Sequence, residues 1–314
     1  MMKNFSIAKT FGINAPEHMT VDGNEQTSNR VPMKIPYVFQ KDLTRDVLCW
    51  HQHARSSDGL FLFGLPGTGK SSVVSQIANR LNIPVYQKTV YRGMEFADLL
   101  GFYIKKGDSM EYLPGVLELA MGYDGNPGWL LLDDIDRADP GILSGLHDVF
   151  VSGIVEIPEH GSTLLKAKDG FRFVATGNSN MQGDNTGMNP SVNRQDLALL
   201  DRFYKREVDF PNPSVEFDIL KTVSPTVEDL LPKIIEVANH IRNAHRNTTD
   251  AVMISPLTMS LRDTQRWAQA IPWYAGAEKP LLDSLNFAML NTCEEPTKVA
   301  VRKHLSDVFG EQYV

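Results

Sequence analysis

A chain of 314 residues, 42% hydrophobic and 22% charged, has the composition of an ordinary globular protein and the length for about two domains. Its formal net charge of −7 argues against sequence-independent nucleic-acid binding, which draws on an excess of Lys and Arg. No run of about 18 apolar residues offers a membrane span, and the two cysteines, Cys49 and Cys293, stand far apart without the Cys/His neighbours of a zinc site.

The opening residues lack the apolar core of a secretory signal, and two isolated thiols suit a reducing compartment, so a cytoplasmic chain is expected. Residues 1–35 are mixed and polar and read as an N-terminal arm. From 36 to 212, short apolar runs alternate with helical patterns. Phe61-Leu62-Phe63 is a buried-strand signal ending at a glycine. A helix follows over Ser71 to Leu81, with Val73, Val74, Ile77, Ala78 and Leu81 on one face. Val85 to Val90 is a second strand. Trp129 to Leu132 is a third, running into Asp133-Asp134. Ile142, Leu143, Leu146 and Phe150 mark another helix, Phe171 to Thr176 a fourth strand and Tyr204 to Phe210 a fifth. Strands alternating with helices predict an α/β domain with a parallel sheet flanked by helices. Beyond Pro211-Asn212-Pro213 only helical patterns remain, over Val227–Arg246, Ser260–Ala270, Leu281–Asn291 and Thr297–Phe309. A smaller helical domain is therefore expected at 213–314.

The strongest local signal is Gly64-Leu65-Pro66-Gly67-Thr68-Gly69-Lys70-Ser71 between a strand and a helix. It fits the phosphate-binding pattern G-x-x-x-x-G-K-[ST]. Gly64, Gly67 and Gly69 let backbone N–H groups turn inward, and the helix N-terminus adds partial positive charge. Pro66, Thr68 and Ser72 complete the candidate ATP-binding loop. Lys70 is placed at the β- and γ-phosphates and the Ser71 hydroxyl on Mg²⁺. Such a loop needs a carboxylate beside it, and the end of the third strand supplies two: Asp133 as the second magnesium ligand, Asp134 to polarise the attacking water. Asn178, at the tip of the fourth strand, is a candidate for the γ-phosphate or the water. Arg202, between a helical pattern and the fifth strand, is a candidate arginine for a neighbouring subunit's nucleotide, with Arg194 a second choice. Arg262 is a candidate γ-phosphate contact from the helical domain.

Taken in order, these residues resemble the MoxR branch of the AAA+ ATPases, and within it the CobS-type subunits of aerobic cobaltochelatase. The resemblance runs from about Phe11. FGINAP, VPMKIPYVF (Val31–Phe39), GLPGTGKSSVVSQIANRLNIP, ADLLG (Ala97–Gly101) and GVLELAM (Gly115–Met121) each resemble a segment of that family. The most specific stretch is ATGNSNMQGDNTGM (Ala175–Met188), similar to the family's AT-x-N…GD-x-TG loop. LLDRF (Leu199–Phe203) resembles its MDRW, and MSLRDTQRWAQ (Met259–Gln269) its lid motif, which puts Arg262 at the lid arginine. A register on Ile254-Ser255-Pro256 would put Leu257 there instead.

The resemblance implies an AAA+ P-loop domain with a helical lid, and a homohexameric ring with nucleotide at the subunit interfaces and Arg202 acting in trans. It implies a partner with a von Willebrand factor A domain, resembling CobT, and a large chelatase subunit in which metal insertion takes place. Two departures bear on rate: Asp134 replaces the family's Glu, and Leu261 its proline. The readings that follow are a chelatase motor, a MoxR-type chaperone acting on another client, or a slowly hydrolysing ATP-dependent assembly switch. A DNA translocase is disfavoured by the acidic balance.

Overall fold

The computed structural model describes residues 2–180, 200–246 and 258–313. Arg194, the Gly183–Gly187 run and Ile254–Pro256 lie outside these. The chain divides into two compact units. The first holds Met1–Ile35, Phe39–Leu65 and Gly69–Val208; the second holds Asp209–Val314 with Pro36–Val38 and Pro66–Thr68.

In the first unit, β1 (Met2–Ser6) and β2 (Thr20–Asn24) pair antiparallel around a short helix, α1 (Ile7–Phe11). Next come α2 (Lys41–His53), β3 (Gly59–Phe63), α3 (Lys70–Arg80) and β4 (Val85–Thr89). A hairpin of β5 (Phe102–Lys106) and β6 (Ser109–Leu113) leads to α4 (Val116–Ala120) and β7 (Trp129–Asp133). Then α5 (Pro140–Ser152), a second hairpin of β8 (Ile154–Ile157) and β9 (Thr163–Lys166), β10 (Arg172–Gly177) and β11 (Phe203–Glu207) complete the unit.

The five expected strands form one parallel sheet in the order β11-β3-β10-β7-β4. The inner strands β3, β7 and β10 are buried almost throughout, which explains why they read as unbroken apolar runs and not as alternations. On α3, Val73, Val74, Ile77, Ala78 and the following Leu81 are buried as their spacing requires, each large one contributing about 1.5–3 kcal/mol of apolar transfer. The segment before Pro36 is tied to the end of α3. Asn24 N–H donates to Leu81 O at 2.8 Å, and the Asn24 and Asn82 side-chain amides each donate to the other's carbonyl at 3.0 Å.

The second unit is helical: α6 (Pro213–Val223), α7 (Leu231–Arg246), α8 (Leu261–Ala270), α9 (Pro280–Ala288) and α10 (Glu295–Phe309). Pro232 falls in the first turn of α7, where its missing N–H breaks no helical bond. Leu220, Leu231, Ile234, Val237, Trp267, Leu285 and Leu305 form its core. Inside that core the Arg242 guanidinium donates to both carboxylate oxygens of Glu216 (2.7 and 2.8 Å), to Met259 O (2.8 Å) and to Thr264 Oγ1 (3.2 Å). Ser260 caps α8 through a reciprocal pair with Asp263.

Candidate active site

Open parallel sheets place their ligands outside the carboxyl ends of the strands. At that edge the sheet order makes neighbours of the ends of β3, β10 and β7, and the chain places the phosphate-loop motif, Asn178 and Asp133-Asp134 there. The motif turns as its glycines allow. Gly64 has φ 141°, and a Cβ there would lie 2.3 Å from Val208 O, while Gly69, at φ 93°, sets the start of α3.

Lys70 is buried, and its ammonium donates to Gly64 O (2.8 Å), Leu65 O (2.9 Å) and Asn178 Oδ1 (3.1 Å). Burial pulls its pKa down to about 8, against the opposing pull of Asp134, Asp136 and Asp133. The Asn178 amide bridges two groups, donating through Nδ2 to Asp134 Oδ1 at 3.0 Å while its Oδ1 receives Lys70. Asp134 sits in left-handed backbone (φ 56°), its N–H 3.4 Å from Thr176 Oγ1 and its carboxylate 3.7 Å from Arg137.

Ser71 Oγ donates to Asp133 Oδ1 at 2.5 Å, and the same oxygen accepts from Thr176 Oγ1 at 2.7 Å; Gln87 donates to Asp133 Oδ2. A hydroxyl and a carboxylate side by side are hard oxygen donors of the kind Mg²⁺ takes alongside substrate phosphates. Among the described residues no group of three His, Cys, Asp or Glu side chains is placed to hold a metal unaided, so a cation here would complete its shell with water or phosphate oxygens.

Lys70, Ser71, Asp133, Asp134 and Asn178 are thus brought together. Of the rest of the motif, Thr68 is buried and Pro66 and Ser72 are exposed. Arg202 is not brought to Lys70. It precedes β11 at the opposite edge of the sheet, its carbonyl accepting from Gly59 N at 2.9 Å, and β3 runs from Gly59 away toward the loop. Arg262 is exposed on the first turn of α8 in the second unit.

Three residues that hold the site were not singled out from the sequence. Thr176 and Gln87 fix the Asp133 carboxylate, and Asp136 fixes Asn178. Asp136 is fully buried, and burial raises its pKa. Its Oδ2 accepts from Asn178 N (2.9 Å), Ser179 N (3.0 Å) and Ser179 Oγ (3.0 Å). The spacing of Asp136 from Asp133 was a visible signal; Gln87 depends on the register of β4 against β7, which the sequence does not show.

Residues 59–203 match the sequence profile described as AAA domain, dynein-related subfamily. The chain is 26% identical over 325 residues to the aerobic cobaltochelatase subunit CobS of a Sinorhizobium species, a match spanning 97% of this chain and 90% of that protein. It is 27% identical over 183 residues to the protein NorQ of Paracoccus denitrificans (58% of this chain, 64% of NorQ). It is 25% identical over 193 residues to the denitrification regulatory protein NirQ of Pseudomonas aeruginosa (62% and 70%).

Proposed function

We propose that this chain, whose residues 59–203 match the AAA-domain profile, is an ATPase that works as the ATP-hydrolysing motor of a metal-chelatase complex. The observation that carries the catalytic part is the chain of contacts Lys70–Asn178–Asp134 beside the Ser71–Asp133 pair. In this reading the backbone N–H groups of Gly64 to Gly69 wrap the phosphates, with Pro66, Thr68 and Ser72 lining the same loop. Lys70 leaves its carbonyl acceptors for the β- and γ-phosphates. Ser71 and Asp133 hold Mg²⁺, which when bound offsets the charge of the phosphate oxygens. Asp134 orients the water, and Asn178 holds the γ-phosphate and Asp134 in register. Arg202 serves the neighbouring subunit's nucleotide in a homohexameric ring, and Arg262 contacts the γ-phosphate.

The chelatase assignment rests on the match to CobS along nearly the whole chain. It carries with it a von Willebrand A-domain partner and a large tetrapyrrole-binding subunit, with this chain supplying mechanical work and not the metal chemistry. The matches to NorQ and NirQ favour a second reading, a MoxR-type chaperone with a different client. Affinity capture of the tagged protein from its own cells in ATP and Mg²⁺, with Lys70→Ala as control, separates the two. A von Willebrand A-domain protein together with a tetrapyrrole-binding subunit supports the motor. The same partner with an unrelated client overturns the chelatase assignment.

A further inference from the structure

The first unit carries a cavity of about 680 Å³ at the amino-terminal edge of the parallel sheet, within the size range of small-molecule sites. Its walls come from β2, α2, the turn before β3, the end of α5 and the 166–172 turn into β10. A smaller one, of about 340 Å³, shares Met2, His51, Asp169 and Gly170 with it and reaches Trp129. The strands run from here to the phosphate loop, so roughly 13 Å of β7 separates Trp129 from Asp133.

Three buried side-chain nitrogens here have no hydrogen-bond partner: His51 Nδ1, which borders both cavities, Arg172 Nε at the larger and Trp129 Nε1 at the smaller. They are neighbours. Arg172 and Trp129 pair across β10 and β7, and the His51 ring lies 5.3 Å from that of Trp129. Their roles are fixed by chemistry. Trp129 Nε1 and Arg172 Nε can only donate. His51 Nε2 lies 3.0 Å from Asp22 O, which can only accept, so that nitrogen carries the proton. Burial and the nearby Arg172 charge hold the ring neutral, leaving Nδ1 as a bare acceptor. Two donors and an acceptor left unpaired away from water are unfavourable until an occupant satisfies them. An occupant that answers all three must present acceptor oxygens and one hydroxyl. Charge selects its sign: three cations, Arg172, Lys166 and Lys168, line the larger cavity against two carboxylates, Asp22 and Asp169.

We propose that the two adjoining cavities, which meet at His51, together bind a small hydroxylated oxyanion, a phosphate or a hydroxycarboxylate, with Arg172 donating from the larger, Trp129 from the smaller, and His51 accepting from its hydroxyl. The site is separate from the nucleotide site and does not rest on the proposed chelatase role.

The test uses the full-length protein with ¹⁵N-labelled tryptophan, the Trp129 indole signal being assigned from Trp129→Phe. Inorganic phosphate and citrate are titrated separately. A saturable shift of the Trp129 indole is expected with one or both, and the anion that gives it identifies the class. The affinity should fall about tenfold or more in Arg172→Gln, as loss of a charge-assisted bond implies, and should persist in Lys70→Ala, which disables the phosphate loop. Lys168→Ala, at an exposed position, carries the test by a weaker response if Arg172→Gln does not fold. The proposal is overturned by three results: no saturable shift with either anion, a shift that only climbs linearly with salt as for an adventitious ion, or a shift lost in Lys70→Ala and kept in Arg172→Gln.

Discussion

Asp136 holds the backbone of Asn178: its Oδ2 accepts the Asn178 N–H at 2.9 Å and takes both the N–H and the hydroxyl of Ser179 at 3.0 Å. The Asn178 side chain, fixed in this way, reaches Lys70 on one side and Asp134 on the other. A buried carboxylate therefore sets the position of the residue proposed to hold the γ-phosphate. Asp136→Ala leaves those donors without their acceptor. Because misplacement by an ångström can cost about a hundredfold in rate, turnover should fall by about ten- to a hundredfold with nucleotide affinity changed little. Asp136→Asn keeps an acceptor oxygen and should recover most of the turnover. Steady-state ATPase rates with nucleotide titrations decide it. Equal loss in both variants, or loss of binding in step with turnover, would reduce Asp136 to a purely structural residue.

Asp134 stands in left-handed backbone, a region that Asp tolerates better than Glu does. The local backbone thus favours the shorter acid, whereas a longer side chain would hold the water better. Asp134→Glu should raise ATP turnover several-fold and lower stability by about 1 kcal/mol. Turnover that fails to rise would show that the side-chain length does not limit hydrolysis. Asp134→Ala should abolish turnover while nucleotide still binds.

Much of this arrangement was visible in the sequence because its signals were local. The loop glycines, the apolar strand running into Asp133 and the face of Val73, Val74 and Ile77 each lie within a few residues of one another. The two antiparallel hairpins were not anticipated. Their strands are only four or five residues long; in β5, β6 and β9 apolar residues such as Phe102, Met110 and Leu164 face outward, and the alternation that β8 does show spans just four residues. α2 was overlooked although Leu43, Val47, Leu48 and Trp50 all point inward. Thr176 and Gln87 lie on β10 and β4, and only the register against β7 brings them to Asp133. Such pairings are set by the whole sheet and leave no local trace.

In the second unit, stability should depend on the buried Arg242–Glu216 pair, whose side chains are 3% and 0% exposed. Removing one partner strands the other's charge away from water. Arg242→Ala should cost about 3–5 kcal/mol, seen as a lower denaturant midpoint for this unit. Replacing both partners with apolar residues of similar volume (Glu216→Leu with Arg242→Met) should recover most of that loss. A double variant as unstable as the single one would mean that the bonds from Arg242 to Met259 and Thr264 matter more than the ion pair.

His51 gives the first unit an acid sensitivity. Its pKa is lowered, chiefly by burial, so the unfolded chain binds a proton more readily than the folded one. Its stabilising effect is complete above the ordinary histidine value of about 6.5 and is lost as pH falls below it. The melting temperature should therefore drop between about pH 7 and pH 5, and drop less in His51→Gln. Parallel pH profiles for the two proteins would remove His51 from the account.

Arg202 lies at the edge of the sheet opposite its own phosphate loop, its carbonyl accepting from Gly59 N. If it serves a neighbour's nucleotide, one complete site needs Lys70 from one subunit and Arg202 from the next. Arg202→Ala alone should bind ATP but hydrolyse it about a thousandfold more slowly, the scale of an arginine finger. Lys70→Ala alone should bind and hydrolyse poorly. Mixed together, the two inactive proteins should regain part of the activity, because an Arg202→Ala subunit keeps its Lys70 and can meet the intact Arg202 of a Lys70→Ala neighbour. The recovered rate should rise and then fall with the mixing ratio, peaking where such interfaces are most frequent. Activity that stays at the level of the separate variants, under conditions where sedimentation shows mixed rings, would place the arginine's action within its own subunit or remove it from catalysis.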